Sequence, residues 1–112
     1  MTAIRDLIPT LFIFLDDIRD PPSDEWIVVR DAVTAYHHIV DAWVAGRTIV
    51  ISLDHDLGED IPTGYDLLNW IEKDIATDDY LRPNISFRIH SANPVGRDNM
   101  TRAIGAIERI MQ

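Results

Sequence analysis

The chain has 112 residues, with 15 Asp and 4 Glu against 9 Arg and 1 Lys, and a formal net charge of −9. We expect residues 1–112 to form one domain around one core, and the acidic balance excludes DNA or RNA binding through Lys and Arg contacts to phosphates. The lack of cysteine excludes disulfides and thiolate catalysis, and the lack of a long apolar run or a signal-peptide layout predicts a cytoplasmic protein outside the membrane.

The first half of the chain predicts two strands and a helix. Residues 11–15 form an uninterrupted apolar run, which is typical of a buried strand, and residues 26–29 predict a second, short strand. The polar, proline-rich segment 20–24 between them predicts a loop rather than a helix. Asp31 is expected to cap a helix that ends just before Gly46.

The second half predicts a regular alternation of strands and helices. A third strand covers 48–53, a helix 64–76, a fourth strand 85–89 and a last helix 96–111. Because strands separated by helices pair in parallel, this order predicts an α/β fold with a mainly parallel, four-stranded sheet.

Polar clusters follow three of the four predicted strands. These clusters are Asp16-Asp17, Asp54-His55-Asp56, and His90-Ser91 with Asn93. Ligands of open parallel sheets bind beyond the carboxyl ends of the strands, where the strand order reverses, so the clusters meet if the first strand lies between the second and third. Asp54 and Asp56 are two residues apart, which puts both side chains on one face of an extended chain.

The carboxylates at these strand ends predict a metal site made of Asp16, Asp17, Asp54 and Asp56. Two carboxylates about 5 Å apart repel by about 3 kcal/mol at an effective dielectric near 20, and either a retained proton or a hard cation relieves this repulsion. Oxygen ligands favour Mg²⁺, with Mn²⁺ or Ca²⁺ as alternatives. His55 and His90 would suit the softer Mn²⁺.

Other polar residues allow simpler interpretations. The remaining acids and the histidines outside the clusters are expected to be caps, turn residues or ordinary surface groups; they include Asp20, Asp24, Asp60, Asp98, His37 and His38. Ser91 and Asn93 could cap the last helix, whose N-terminus would favour an anion. Arg19 and Arg97 could bind a phosphate or merely offset the local acids.

Three motifs together resemble the cyclic-phosphate processing branch of the response-regulator receiver superfamily. They are Leu15-Asp-Asp-Ile-Arg-Asp-Pro21, Ile51-Ser-Leu-Asp-His-Asp-Leu-Gly58 and His90-Ser-Ala-Asn-Pro94. The acidic pair after the first strand, the spacing from Asp56 to Gly64 and the hydroxyl of Ser91 resemble receiver domains more generally. The resemblance extends over residues 11–105 and implies a truncated receiver-like (flavodoxin-like), three-layer fold with strand order 2-1-3-4.

Departures from a signalling receiver are informative. No fifth strand is predicted, and the single lysine, Lys73, lies in a predicted helix rather than after a fifth strand, where a receiver places its phosphate-binding lysine. The first helix of a receiver is replaced by the loop around 20–24. Together with His55 and His90, these departures favour a hydrolytic site over a phosphorelay module.

The resemblance therefore implies a metal-dependent phosphoesterase that hydrolyses the cyclic phosphate of a nucleotide or of an RNA end, as in RNA repair. The expected roles are metal binding by Asp16, Asp17, Asp54 and Asp56, catalysis by Asp54, His55, Asp56 and His90, and phosphate binding by Arg19, Ser91, Asn93 and Arg97. Either histidine could act as acid or base. A phospho-aspartyl intermediate would form at Asp56 by its spacing to Gly64, or at Asp54 by its place at the strand end.

Two other functions fit the sequence less specifically. A non-catalytic pseudo-receiver could bind a partner, and an exposed edge at the fourth strand could pair in a homodimer. An acidic mimic of nucleic acid would fit the net charge, but mimics spread their acids over helix faces. For the enzyme, the expected partner is a small cyclic-phosphate substrate or an RNA terminus, without duplex DNA or a membrane.

Overall fold

The structure is a computed structural model that describes residues 8–77 and 82–112. Within these residues, four parallel strands form one sheet in the order β2-β1-β3-β4. The strands are β1 (Leu11–Leu15), β2 (Trp26–Val29), β3 (Thr48–Leu53) and β4 (Asn84–Ile89). The predicted parallel sheet and its receiver-like strand order are therefore confirmed, with β2 and β4 at the two edges.

Three helices connect or follow the strands: α1 (Ala32–Val44), α2 (Gly64–Thr77) and α3 (Pro94–Met111). Helix α1 begins at the predicted cap, because the Asp31 side chain accepts a hydrogen bond of 2.7 Å from the Thr34 amide. It ends before Gly46, whose φ of +74° is the left-handed conformation that favours glycine after a helix. None of the described helices combines the length and apolar character that crossing a membrane requires.

Helix α3 begins at Pro94, two residues before the predicted start. Asn93 is its N-cap, and the side-chain oxygen of Asn93 accepts a hydrogen bond of 3.0 Å from the Gly96 amide. Proline at the first helical position needs no amide partner and has a suitable φ. The sequence prediction placed the start too late because it treated the residues before 96 as a turn.

The core lies between the helices and one face of the sheet. Odd-numbered strand residues such as Ile13, Leu15 and Ile51 are fully buried and pack in one cluster with buried residues of all three helices. The connections from β2 through α1 to β3 and from β3 through α2 to β4 run in the same direction across the sheet, which under the right-handed crossover rule places both helices on one face. Both helices contribute to the core cluster on this face. Each fully buried Leu or Ile contributes about 1.5–3 kcal/mol to the stability of the fold.

In the described part of the chain, three helices accompany the four-stranded parallel sheet, as expected for a truncated receiver-like fold, and the connection between β1 and β2 is irregular, as predicted for 20–24. The even-numbered strand residues form the other face of the sheet. Aromatic side chains pack together on this face: the Trp26 ring lies edge-on to Phe12 and Phe14, with centroids 5.3 and 6.2 Å away. The Arg88 guanidinium lies 5.6 Å from the centre of the Trp26 ring.

Candidate metal and phosphate site

Three residues continue the sheet directly beyond its strands. Asp16 follows β1, Asp54 follows β3 and His90 follows β4. The amide of each donates a hydrogen bond of 3.0–3.1 Å to a carbonyl oxygen at the end of a neighbouring strand. The sheet hydrogen bonding therefore fixes the backbone of all three residues relative to one another.

The side chains of Asp16, Asp54 and His90 converge, and we refer to them as the trio. One possible ligand atom from each lies within 4.8 Å of the other two. Two carboxylates and one imidazole are a donor set that fits a divalent cation such as Mn²⁺ or Mg²⁺. Two of the four predicted metal ligands, Asp16 and Asp54, thus come together with a histidine that was predicted to be catalytic.

Asp16 is the buried member of the trio, with a side chain that is 0% exposed. Its carboxylate accepts hydrogen bonds from the amides of Ile18 (2.9 Å) and Arg19 (2.8 Å) and lies 3.0 Å from His90 Nε2. Burial raises the pKa of Asp16, but the two amide hydrogen bonds and the His90 contact outweigh it and leave this pKa below its ordinary value. A buried carboxylate anion is therefore already present at this position.

The His90 ring is held from three sides. Its Nε2 faces Asp16, its Nδ1 lies 2.7 Å from the Ser52 hydroxyl oxygen, and its plane stacks on the Phe14 ring with centroids 4.3 Å apart. Sequence reasoning did not single out Ser52. The signal for it was an isolated polar residue in an apolar strand, two positions before Asp54 and hence on the same face of the sheet.

Asp56 belongs to a second, more exposed cluster with His55 and Asn93, which we call the Asp56 cluster. His55 Nδ1 lies 2.8 Å from Asp56 Oδ1, and the Asn93 side-chain amide donates to Asp56 Oδ2 at 3.1 Å. The hydrogen bond from His55 and then that from Asn93 hold the pKa of Asp56 below its ordinary value. The Asp56 side chain is 65% exposed, so this carboxylate anion faces solvent.

A cleft of about 270 Å³ reaches the trio at Asp54 and the Asp56 cluster at Asp56 and Asn93. It is lined by Asp17, Ile18, Arg19, Asp54, Asp56, Ser91, Ala92 and Asn93. Asp54 and Asp56 both line this cleft, as their spacing predicts. Asp17 also lines the cleft, but it is not a member of the trio.

The predicted phosphate-binding residues differ in their access to the cleft. The Arg19 side chain is 51% exposed, and its guanidinium donates a hydrogen bond of 2.9 Å to the His90 carbonyl. Ser91 is buried, and its hydroxyl accepts a hydrogen bond of 3.1 Å from the Asn93 amide. Arg97 is not among the residues that line the cleft. Its guanidinium donates a hydrogen bond of 3.0 Å to the Ser91 carbonyl and so stabilises the loop between β4 and α3.

Two glycines let backbone or rings approach the site closely. A Cβ at Gly64 would lie 2.1 Å from the carbonyl oxygen of Asp54, and a Cβ at Gly96 would lie 2.5 Å from Cγ of the His55 ring. Both distances are shorter than a Cβ atom can approach another non-bonded heavy atom. Gly64 is therefore needed beside the trio and Gly96 beside the Asp56 cluster.

Lys73 does not approach the cleft. It lies in α2, as predicted, and lines a separate groove of about 380 Å³ with Val33, Tyr36, Trp70 and Asp74. Lys73 therefore does not take the phosphate-binding place that a receiver gives to its lysine.

Comparison with protein-family models supports the predicted resemblance. The model of the family described as "Cyclic-phosphate processing Receiver domain" matches residues 11–106, from the start of β1 into α3. No curated protein and no solved structure matches the chain significantly. The matched segment contains the trio, the Asp56 cluster and every residue that lines the cleft.

Proposed function

Because the chain belongs to the family of cyclic-phosphate processing receiver domains, we propose that it is a metal-dependent phosphoesterase that hydrolyses a cyclic phosphate. The observation that carries this proposal is the trio, whose ligand atoms lie within 4.8 Å of one another at the carboxyl end of the sheet. A cleft large enough for a phosphate and part of a sugar lies beside it. Water would lose a proton and attack phosphorus, one P–O ester bond of the ring would break, and the released oxygen would take up a proton, which gives a phosphomonoester with a free hydroxyl.

Asp16, Asp54 and His90 would hold Mg²⁺ or Mn²⁺. Such an ion, when bound, stabilises negative charge on the phosphoryl oxygens and lowers the pKa of water. Asp17 and Asp56 line the same cleft and are proposed to contact the ion or the substrate through water.

We assign the general base to Asp56. Its carboxylate is ionised, exposed to the cleft and oriented by His55 and Asn93. His90 is less suited to this role, because both of its ring nitrogens already have partners in the trio and in β3. A positioned base of this kind contributes a rate factor of about 10²–10⁴.

Arg19 and Ser91 are proposed to contact the phosphoryl oxygens, since both line the cleft and carry donors. Asn93 and Arg97 would hold Asp56 and Ser91 in place through the hydrogen bonds described above. The same arrangement accounts for a phosphate site in a chain of net charge −9, because donors and a cation gather at one end of the sheet.

Ile18 favours a nucleoside cyclic phosphate as the substrate. It lines the cleft and is 80% exposed, so an apolar surface is available beside the phosphate site. A nucleobase would cover this surface, whereas the cyclic phosphate of glycerol would leave it in water. The acidic surface further restricts the substrate to a small nucleotide or a single RNA end.

The decisive experiment assays 2′,3′-cyclic AMP, 3′,5′-cyclic AMP and glycerol 1,2-cyclic phosphate with Mg²⁺, with Mn²⁺ and after chelation. We expect metal-dependent hydrolysis of a cyclic nucleotide in preference to the glycerol compound. Asp54→Ala and Asp56→Asn should each abolish most of this activity, while Asp20→Asn, on a side chain that is 92% exposed, should not.

Two results would contradict the proposal. Unchanged hydrolysis after complete chelation would show that the reaction needs no metal. Metal binding without turnover of any cyclic phosphate would favour the non-catalytic binding module instead.

A further inference from the structure

The hydroxyl of Ser52 is a buried polar group that the proposed reaction does not use. Ser52 lies in β3, is 7% exposed and sits in register between Phe14 of β1 and Arg88 of β4. Within the described residues, its Oγ has one hydrogen-bond partner, His90 Nδ1 at 2.7 Å. A buried hydroxyl aimed at one ring nitrogen can decide where the ring carries its proton.

Asp16 and Ser52 together set the tautomer of His90 in the absence of metal. At the 3.0 Å contact, His90 Nε2 carries the hydrogen, because a carboxylate oxygen accepts. In the neutral ring, Nδ1 then has a lone pair, and the Ser52 hydroxyl donates to it. The structure is thus consistent with the Nε2–H tautomer.

A divalent ion in the trio needs the opposite tautomer. Nε2 would give its lone pair to the ion, and the ring proton would sit on Nδ1 without any change in the charge of the ring. The Ser52 oxygen can accept from that Nδ1–H, because a hydroxyl is both donor and acceptor. A carbonyl or an amide N–H in its place would serve only one of the two tautomers.

The His90 ring has little freedom to find another partner for Nδ1. It stacks on Phe14 with an interplanar angle of 7°, and its exposed fraction is 19%. This packing holds the plane of the ring and keeps Nδ1 directed at Ser52.

We propose that Ser52 is a positioning residue for metal binding, whose hydroxyl supports both tautomers of His90 and lets Nε2 exchange a hydrogen for a divalent cation. This inference rests on the proposed metal site of the trio. It predicts that metal affinity depends on a residue that does not touch the metal, an effect that typically amounts to about 10–100-fold.

The test combines NMR of ¹⁵N-histidine-labelled protein with Mg²⁺ and titration with Mn²⁺ alone. In the wild type, the protonated nitrogen of His90 should be Nε2 without metal and Nδ1 with Mg²⁺. Ser52→Ala should weaken Mn²⁺ binding about 10–100-fold. Ser52→Thr, which keeps the hydroxyl, should retain most of the affinity, and Ser52→Val, which has nearly the same shape without it, should not.

Ser86→Ala is the matched control, because Ser86 lies exposed on β4 without a hydrogen bond to any group of the described site. It should leave Mn²⁺ affinity and the His90 signals unchanged. Comparing Thr with Val at position 52 separates the hydroxyl from packing even if Ser52→Ala folds poorly.

The inference is overturned if Ser52→Ala and Ser52→Val bind Mn²⁺ like the wild type, or if wild-type His90 carries its hydrogen on Nδ1 without metal. A wild type that binds neither ion would overturn it together with the metal site. A wild type that binds Mn²⁺ and changes tautomer but hydrolyses no cyclic phosphate would contradict the proposed phosphoesterase alone.

Discussion

The molecule contains two aspartate–histidine pairs at one end of its sheet, and they differ in burial. Asp16 and His90 pair at 3.0 Å around a carboxylate that is fully buried, whereas Asp56 and His55 pair at 2.8 Å around one that is 65% exposed. The buried pair has further partners in the amides of 18 and 19 and in Ser52. The side chains of the exposed pair have one further hydrogen-bond partner, Asn93, within the described residues.

The difference follows from where each pair lies in the chain. Asp16 and His90 are 74 residues apart and meet only because the carboxyl ends of β1 and β4 lie at the same end of the sheet. His55 and Asp56 are adjacent and lie in a loop, so they can pair without the rest of the fold. One type of residue pair is therefore buried and fixed in one place and exposed in the other, which suits the proposed roles of the first in metal binding and of the second as the general base.

The largest expected effect is a difference in protein stability between substitutions of the two carboxylates. Asp16→Ala should lower the free energy of unfolding by about 3 kcal/mol, because it leaves two buried amides and His90 without their acceptor. Asp56→Ala should change this free energy by no more than about 0.5 kcal/mol, because its partners can turn to water. Urea denaturation without metal measures both.

The same two variants should also differ in metal binding. Asp16→Ala is expected to abolish Mn²⁺ binding, while Asp56→Ala keeps it and loses turnover. Equal losses of stability in both variants would contradict the distinction between the buried and the exposed pair.

Two glycine substitutions should disturb the two regions one at a time. Gly64→Ala forces a methyl group against the Asp54 carbonyl, a backbone atom that cannot move away, and should cost about 1–3 kcal/mol of stability and weaken metal binding. Gly96→Ala meets the His55 side chain instead, which can move, so it should mainly lower turnover.

Gly105→Ala is the control for both glycines. Its Cβ would lie 3.5 Å from the end of the flexible Arg109 side chain, and alanine is a better helix former, so stability should stay equal or rise by up to about 1 kcal/mol. Thermal unfolding and Mn²⁺ titration of the three variants provide the comparison. A Gly64→Ala protein as stable as the wild type would contradict the close approach of Gly64 to Asp54.

The smallest effect concerns acid stability. The pKa of Asp16 lies below the ordinary value of 3.8, so the folded state binds its proton less readily than the unfolded state. The stability from the ionised Asp16 is therefore fully present above the ordinary value and is lost as the pH falls through the lower, folded one. Between about pH 5 and pH 2, the free energy of unfolding should therefore fall less in Asp16→Asn than in the wild type. The difference from the wild type should be smaller for Asp56→Asn, because an exposed carboxylate is screened by solvent.

Most of the fold was predictable from local patterns. β1 and β3 follow from apolar runs that end at acids, and α1 follows from Asp31, its apolar spacing and Gly46. The start of α3 was wrong by two residues, although the Asn93-Pro94 pair already carries a cap and a typical first helical residue. The strand order 2-1-3-4 was expected from the family resemblance rather than from a local pattern, because it depends on which strands pair across the sheet.

The site was predictable in its composition but not in its division into two clusters. Asp16, Asp54, Asp56, His55 and His90 do lie at one end of the sheet. The pairing of His55 with the adjacent Asp56 is local, whereas the pairing of His90 with Asp16 depends on strand order and on side-chain direction, which no local pattern carries. The contribution of Ser52 became visible only through its contact with His90, since one serine in a strand has many possible roles.

The amide hydrogen bonds of Asp16, Asp54 and His90 have a consequence for the thermodynamics of binding. The backbone amide of each residue is hydrogen-bonded to a neighbouring strand, so none of the three can shift without breaking a hydrogen bond of the sheet. A ligand that meets these residues finds their backbone already ordered and loses little conformational entropy of the protein on binding. The site would thus be preorganised before any ion or phosphate arrives, and its dynamics would be those of the sheet rather than those of a loop.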